Sequence, residues 1–242
     1  MLVGVETAYF DILSRNQVLS RLDADEMEEF LSLATMEEFR TNDVIFNKGG
    51  PGDRLYAILS GRVGINTISR EGKELFLNIL DPGEIFGEIA VLDGKERTAG
   101  AKAMKPTKLV GIGRNELLQF LEQHPRLCLR LIEVLCERLR WTSDTIENTI
   151  FLQIPRRLAK RLLTLVERLG RPVEPGNDRA GIRIDMKLSQ EDLGNMLGVT
   201  RESINKGLRS LQQSGVISHE SGYIIVHDVD TLKDLISNGE LD

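Results

Sequence analysis

The chain has few of the residues from which metal and redox centres are built. Its 242 residues include two cysteines and three histidines. Cys128 and Cys136 cannot supply the four thiolates of an iron–sulfur cluster, and His124, His219 and His227 are scattered along the chain. No nucleophile elbow or phosphate-binding P-loop motif accompanies them. We therefore predict neither a metal site nor catalytic residues.

Long apolar runs are missing too. No run approaches the roughly 18 apolar residues of a membrane-spanning helix. Residues 1–6 lack the basic and apolar regions of a secretion signal. These features predict a cytoplasmic protein with no membrane partner.

The charge is unevenly distributed, although the formal net charge of −6 argues against a nucleic-acid partner. Residues 155–227 contain twelve lysines and arginines and eight acidic residues, whereas residues 228–242 contain one lysine and five acidic residues. The basic segment is therefore the candidate nucleic-acid region. The last stretch is set apart as an acidic tail.

Short apolar runs occupy residues 44–46, 55–59, 63–65 and 75–79, and turn residues separate them at 49–53, 60–61, 70–73 and 81–83. Several short strands at regular spacing predict an antiparallel roll or barrel, with residues 101–112 returning as its last strands.

The segment from Phe86 to Ala99 has the composition of a nucleotide-binding loop. Gly87 lets backbone N–H groups approach an anion, and Arg97, ten residues later, has the planar fork that suits a phosphate. Thr98 adds a hydroxyl donor, and the carboxylate of Glu88 can accept from a ribose hydroxyl. The alternative is an ordinary hairpin connection in which these are turn residues.

A long helical stretch starts near Asn115 and is interrupted at Pro125. Beyond it, apolar residues recur at steps of three and four, which is typical of a coiled-coil seam and favours a parallel homodimer. The alternative is packing on the chain's own roll, for which Ile132 and Val134 offer a second face. The predicted seam consists of Leu127, Leu131, Leu135, Leu139, Thr142, Ile146 and Ile150.

Residues 190–209 fit a helix-turn-helix. Ser189 can cap the first helix, Gly198 supplies the turn, and Thr200 can cap the second helix. The outward face of the second helix carries donors and one acceptor for base edges in the DNA major groove. That face consists of Arg201, Glu202, Asn205, Lys206 and Arg209.

Residues 216–226 form a predicted hairpin with its turn at Ser221 and Gly222, which completes a winged helix. Upstream, four basic residues are candidates for phosphate contacts, or alternatively a solvated helix face. They are Arg156, Arg157, Lys160 and Arg161.

These motifs together resemble the cyclic-AMP receptor/FNR superfamily of transcription regulators, over residues 17–227. The sequence from Phe86 through Gly87, Glu88 and Ile89, followed by Arg97, Thr98 and Ala99, resembles the family's phosphate-binding cassette. The resemblance implies that Gly87 and Glu88 hold the ribose, and that Arg97 and Thr98 hold a cyclic phosphate.

In the cyclic-AMP receptor branch, a Thr-Ser pair on the dimer helix contacts adenine, partly across the subunit interface. Thr142 and Ser143 align with that pair, although Thr142 could also be a polar residue that only fixes helix register. Arg138 aligns with an arginine that lies near the cassette glutamate.

The second helix of the helix-turn-helix resembles that branch's recognition helix, preceded by Ser189 and Gln190. Two residues depart from the pattern. Lys206 replaces the usual arginine and cannot form its bidentate fork, and Gly207 occupies a normally apolar position, at a cost of about 1 kcal/mol of helix propensity.

The resemblance implies an α+β chain of four parts: an N-terminal helix and cyclic-nucleotide-binding β-roll (1–114), a dimerisation helix (115–152), a winged helix-turn-helix (153–227) and the acidic tail (228–242). The implied function is a homodimeric transcription regulator that binds cyclic AMP, a two-fold DNA site and RNA polymerase. Cyclic GMP, cyclic di-GMP or no ligand remain alternatives, as does an enzyme that carries a cyclic-nucleotide module.

Overall fold

The computed structural model describes residues 11–14, 16, 18–69, 72, 74–173 and 180–238. The chain divides into two compact units, Met1–Arg140 and Trp141–Asp242. The division falls inside one long helix.

The first unit contains the predicted antiparallel roll. Its strands are β1 (Ala34–Phe39), β2 (Val44–Phe46), β3 (Arg54–Ile68), β4 (Glu74–Leu80), β5 (Ile85–Phe86) and β6 (Gly100–Gly113). They pair in the order β1-β6-β3-β4, while β2 pairs with β6 and β5 with β3. All of these pairings are antiparallel.

The turn predicted at Ser60 and Gly61 is wrong, because both residues lie inside the continuous strand β3. The pairing of β3 with β6 shifts register around them instead, so the strand bends without ending. Gly61 has φ 97°, and a Cβ there would lie 2.3 Å from Oγ1 of Thr107. Glycine is therefore required to let the two strands approach at the bend.

Helices close the roll. They are α1 (Ala24–Ser32), α2 (Glu88–Asp93), α3 (Arg114–Gln123) and the start of α4 (Pro125–Phe151). The break between α3 and α4 is the interruption predicted at Pro125. Phe30 of α1 meets Phe120 of α3 edge to face at 5.5 Å, and Leu127 and Leu131 of α4 join the same core.

The second unit is a winged helix-turn-helix. Its helices are α5 (Ile154–Leu169), α6 (Gln190–Leu197), α7 (Arg201–Gln213) and α8 (Val229–Asn238). Its four-stranded sheet has the order β7-β8-β10-β9, formed by β7 (Gly170–Val173), β8 (Gly181–Ile184), β9 (Ile217–Glu220) and β10 (Tyr223–Val226). The predicted hairpin is β9–β10, in register from Tyr223 opposite Glu220. Strands β7 and β8 were not predicted.

The segment set apart as an acidic tail is helical over most of its length. Leu232 and Leu235 of α8 are buried, and Nε of Arg156 on α5 donates to the carbonyl of Ile236 at 2.9 Å. The boundary drawn at residue 227 therefore separates α8 from the unit on which it packs. The segment was predicted to be a tail because of its acidic residues, but it forms an amphipathic helix with one apolar face.

Candidate functional site: a cyclic-nucleotide cassette and a DNA-reading helix

The cassette begins where β5 ends. Gly87 has φ 83° and is the N-cap of α2, and Gly94 has φ 71° and ends that short helix. A Cβ on Gly87 would lie 2.6 Å from Nη1 of Arg97. The positive φ therefore favours glycine at residue 87, and a side chain there would push the Arg97 guanidinium from its observed position.

Arg97 is buried in the cassette, with only 3% of its surface exposed. Its Nη1 donates to the carbonyl of Gly87 at 3.0 Å and its Nη2 to the carbonyl of Arg54 at 2.7 Å. The guanidinium carbon lies 4.1 Å from the centre of the Phe46 ring. Burial lowers the pKa of Arg97, and the nearby Asp53 carboxylate opposes that shift.

Glu88 is the buried acceptor of the site, with 1% of its side chain exposed. One oxygen, Oε1, accepts from Nη1 of Arg138, whose Nη2 donates to the carbonyl of Ile85 at 2.6 Å. Arg138 thus lies beside the cassette glutamate in the structure. Its guanidinium holds the carboxylate in one orientation.

Two buried polar atoms of the cassette are left unsatisfied. Among the described residues, none forms a hydrogen bond with Oε2 of Glu88 or with Nε of Arg97. A buried polar atom without a partner is costly. One of these atoms accepts and the other donates, so the pair suits a ligand with a hydroxyl and an anion.

Five of the predicted ligand residues meet at a single cavity of about 40 Å³. Its lining includes Gly87, Glu88, Ile89, Arg97 and Thr98. Phe46 also lines it and was missed by the sequence analysis, as was Asp53, whose Oδ1 lies 3.5 Å from Nη2 of Arg97. Both belong to segments whose only sequence signal was a strand or a turn.

The apolar seam predicted on α4 is wrong in its first members. Leu127 and Leu131 belong to the core of the first unit, and Val134 packs against that core. Ile132, which we expected to face the roll, is 53% exposed. Leu139, Ile146 and Ile150 of the predicted seam are exposed, and Val134 contacts the roll as predicted. The errors are therefore Leu127 and Leu131, which are buried, and Ile132, which is not.

A second stripe on α4 recurs at strict steps of three and four residues. Its apolar members Leu129, Ile132, Leu139, Ile146 and Ile150 are all more than half exposed. Such spacing is that of a coiled-coil seam. The full stripe, called here the α4 seam, is Leu129, Ile132, Cys136, Leu139, Ser143, Ile146 and Ile150.

Ser143 therefore lies in the α4 seam and Thr142 beside it. Both are exposed residues of α4. Their assignment to the base of a nucleotide stays a prediction.

The helix-turn-helix is capped as predicted. Ser189 and Asp192 form a capping box at the start of α6, in which the Asp192 N–H donates to Oγ of Ser189 at 3.0 Å. Thr200 caps α7 by accepting from the Ser203 N–H at 3.3 Å. Gly198, with φ 65°, makes the turn between the helices. These caps fix the residue at which α7 begins, and therefore which of its side chains face outward.

Arg201, Glu202, Lys206 and Arg209 are exposed on α7, and Asn205 is half-buried. Nε of Arg201 donates to Oε1 of Gln190 on α6 at 3.3 Å. Hydrogen bonds from its own backbone N–H and from Thr200 lower the pKa of Glu202. The first turn of α7 therefore presents an oriented arginine and a charged carboxylate.

Gly207 has a packing explanation. A Cβ at this position would lie 2.8 Å from Cδ2 of Leu158 on α5, a fully buried side chain. The missing side chain lets α7 lie directly against α5. The lost helix propensity is thus exchanged for a close contact between helices.

Three of the four basic residues proposed for phosphates serve the fold instead. Arg156 donates to the Ile236 carbonyl, and Arg157 donates to the carbonyl of Leu197 at the end of α6. Burial lowers the pKa of Arg161 to about 10. Lys160 donates to Oδ1 of Asn148 at 2.9 Å but is exposed. The prediction that all four line an edge available for phosphates is wrong, because backbone carbonyls and the protein interior occupy the arginines.

The described part of the chain contains no helix that is long and apolar enough to cross a membrane. Within the same residues, no group of three or more histidine, cysteine and acidic side chains is arranged to hold a metal ion.

Comparison with known proteins agrees with both units. Residues 36–124 match the cyclic nucleotide-binding domain family, and residues 156–235 match the Crp-like helix-turn-helix domain family. A CRP-like cAMP-activated global transcriptional regulator of Mycobacterium tuberculosis is 30% identical over 222 residues, covering 92% of this chain and 97% of that protein. The chain belongs to the CRP/FNR family.

Members of this family with solved structures have the same fold. A CRP/FNR-family transcriptional regulator of Thermus thermophilus has a TM-score of 0.65 and 31% identity, covering 84% of this chain and 99% of its own. The c-di-GMP-responsive global regulator of Xanthomonas campestris has a TM-score of 0.74 at 23% identity, covering 85% of this chain and 100% of its own. The chain is thus a DNA-binding transcription regulator with a cyclic-nucleotide-binding domain, and its relatives are regulators and not enzymes.

Proposed function

We propose that this regulator binds cyclic AMP in the cassette and that the nucleotide controls its binding, as a homodimer, to a two-fold symmetric DNA site. The observation that carries the proposal is the pair of buried unsatisfied atoms, Oε2 of Glu88 and Nε of Arg97. A ribose 2′-hydroxyl would satisfy the first and a cyclic phosphate the second. Thr98 lines the same cavity and adds a hydroxyl.

Cyclic AMP is favoured over other nucleotides by the relative from Mycobacterium tuberculosis, which is described as cAMP-activated. Thr142 and Ser143 are the residues we assign to the adenine base. The structural neighbour from Xanthomonas campestris responds to c-di-GMP, so cyclic di-GMP is an alternative, together with cyclic GMP. A donor beside Arg97, such as Thr98, is compatible with cyclic GMP as well.

The α4 seam supports a homodimer. Its exposed leucine and isoleucine side chains are spaced for a parallel coiled coil with a second copy of the chain. Two-fold symmetry would place the two recognition helices α7 about 34 Å apart, which is one turn of DNA. Arg201 and Lys206 would donate to guanine, and Glu202 would accept from cytosine.

Ser189, Gln190, Thr200, Asn205 and Arg209 complete the proposed DNA surface. Cyclic AMP can act as a switch only if it binds one arrangement of the dimer better than another. The regulator would act in the cytoplasm, together with RNA polymerase.

The test is a calorimetric titration of the purified protein with cyclic AMP, cyclic GMP, cyclic di-GMP and linear 5′-AMP. We expect cyclic AMP to bind more tightly than the other three. The linear nucleotide is the matched control, since it keeps the base and ribose but opens the phosphate ring. Tighter binding of cyclic GMP or cyclic di-GMP would identify that nucleotide as the effector instead. If none of the four nucleotides binds, the assignment of the cassette as a cyclic-nucleotide site is wrong.

A further inference from the structure

The phosphate-binding arginine of the cassette is already bonded to the protein. Both terminal nitrogens of Arg97 donate to backbone carbonyls, Nη1 to Gly87 at 3.0 Å and Nη2 to Arg54 at 2.7 Å. Its guanidinium lies over the Phe46 ring. Only 3% of the residue is exposed. Nε has no partner among the described residues. Each terminal nitrogen carries two N–H groups: Nη1 keeps one of them, whereas Nη2 also faces Oδ1 of Asp53 at 3.5 Å.

In this arrangement Arg97 can offer a phosphate its Nε–H but not a full fork. A bidentate contact needs two N–H groups that point the same way, such as Nε–H and an Nη2 N–H, and Nη2 already donates to the Arg54 carbonyl and to Oδ1 of Asp53. The cavity of about 40 Å³ is also far smaller than the roughly 300–1,000 Å³ typical of small-molecule sites. A bidentate contact therefore requires the Nη2 N–H that faces Asp53 to be released, and the cavity to widen.

Asp53 is the side chain that favours the inward position of Arg97. Its Oδ1 lies 3.5 Å from Nη2 of Arg97, although 68% of the Asp53 side chain is exposed. The Asp53 carbonyl is fixed, because the N–H of Arg114 donates to it at 2.8 Å. The preceding residue, Gly52, packs so closely on the cassette that a Cβ there would lie 2.5 Å from Cβ of Ala90 on α2. The carboxylate is thus carried by a loop pressed against the cassette helix.

We propose that Asp53, with the carbonyls of Gly87 and Arg54, forms a latch that holds Arg97 inside the protein. The phosphate of a cyclic nucleotide must then displace Asp53 to bind the Arg97 guanidinium. The proposal rests on the proposed function of the cassette and adds its regulation. A ligand that binds only the released state has its apparent affinity reduced by the fraction of molecules in that state. The latch therefore sets the concentration of nucleotide at which the regulator responds.

The Asp53 carboxylate also opposes the lowering of the Arg97 pKa by burial. This agrees with a stabilising interaction between the two side chains in the latched arrangement. An ion pair with one exposed partner contributes less than about 1 kcal/mol. Loss of the pair should therefore change affinity by about two- to fivefold.

The experiment compares the wild-type protein with Asp53→Asn by calorimetric titration with cyclic AMP. Asp25→Asn, which removes the same charge from an exposed residue of α1, is the matched control. We expect Asp53→Asn to bind about two- to fivefold more tightly and Asp25→Asn to bind like the wild type. Unchanged or weaker binding by Asp53→Asn would overturn the latch while leaving the cassette's function intact. If neither the wild type nor Asp53→Asn binds any nucleotide, the proposed function is wrong, and the latch proposal is wrong with it.

A second measurement separates a latch from simple repulsion between Asp53 and the phosphate. ¹⁵N NMR of the arginine side chains, without nucleotide, reports rotation about the Nε–Cζ bond of Arg97, whose signals are identified from their loss in Arg97→Lys. The latch predicts slow rotation in the wild type and faster rotation in Asp53→Asn. Tighter binding with unchanged rotation would show that the carboxylate only repels the ligand, which would overturn the latch.

Discussion

Arg138 pairs with Glu88 across fifty residues of sequence, and so connects helix α4 to the first residue of the cassette helix. The same guanidinium holds the Ile85 carbonyl, at the strand that leads into the cassette. One oxygen of Glu88 is thereby fixed, while the other is left for a ligand. A nucleotide that bonds to Glu88 would act on a carboxylate that already contacts the proposed dimerisation helix.

Removing the guanidinium should destabilise the first unit. We expect Arg138→Met to lower the free energy of unfolding by about 1–3 kcal/mol, because it leaves a buried carboxylate without its partner. The double variant Arg138→Met/Glu88→Gln should recover part of the loss. Arg140→Met, two residues away and exposed, is the control. Urea unfolding provides the measurement, and strictly additive losses in the double variant would contradict the pairing.

Replacing Gly207 by an apolar residue should destabilise the protein, although the family normally has an apolar residue at this position. Although isoleucine has the higher helix propensity, Gly207→Ile would press against the buried Leu158, and we expect a loss of about 1–3 kcal/mol of stability. Ser210→Ile places the same side chain on an exposed position of α7 and should be nearly neutral. Denaturant unfolding distinguishes the two variants. A Gly207→Ile protein as stable as the wild type would refute the packing explanation.

The α4 seam should carry dimerisation. A carboxylate at Ile146 would be buried between two helices, so Ile146→Asp should convert a dimer into monomers in sedimentation equilibrium. Thr145→Asp introduces the same charge at the neighbouring residue, outside the seam, and should stay dimeric. Persistence of the dimer in Ile146→Asp, or monomers in Thr145→Asp, would show that the interface lies on another face.

Gln190 should act as a positioning residue for Arg201. We expect Arg201→Ala to relax the preference for one base pair in each half-site by about 1–3 kcal/mol. Gln190→Ala should weaken the preference at the same base pair by a smaller amount than Arg201→Ala does. It removes the hydrogen bond that orients Nε of Arg201 but leaves the guanidinium in place. Competition binding against single-base variants of the site gives the measurement. Lys233→Ala on α8 is the control, and a uniform loss of affinity across all sequences would mean that Arg201 contacts only the DNA backbone.

Local signals in the sequence were enough to predict the cassette and the recognition helix. The spacing from Gly87 to Arg97 and the capping residues Ser189 and Thr200 each act within a dozen residues, so they are readable without tertiary information. The roll followed from short apolar runs with turn residues between them. Its bend at Gly61 was misread, because a glycine that permits a close strand contact has the same sequence signal as one that makes a turn.

The remaining errors concern choices that depend on tertiary contacts. Helix α4 has two apolar stripes of similar spacing, and periodicity alone does not determine which one the roll buries. Arg156 and Arg157 bond to backbone carbonyls, which leave no trace in a sequence pattern. The inward position of Arg97 could not be predicted for the same reason, because Arg54 and Gly87 contact it only after the chain has folded.

The most direct test of the account is the effect of cyclic AMP on DNA binding, measured by fluorescence anisotropy with a two-fold symmetric site, for the wild type and for Arg97→Ala. The account predicts that saturating cyclic AMP tightens DNA binding by the wild type by about 5- to 150-fold. Arg97→Ala should bind DNA with the affinity of the nucleotide-free wild type at every concentration tested. An equal response in Arg97→Ala, or no response in the wild type, would contradict the claim that a cyclic phosphate bound at Arg97 controls the DNA-binding unit.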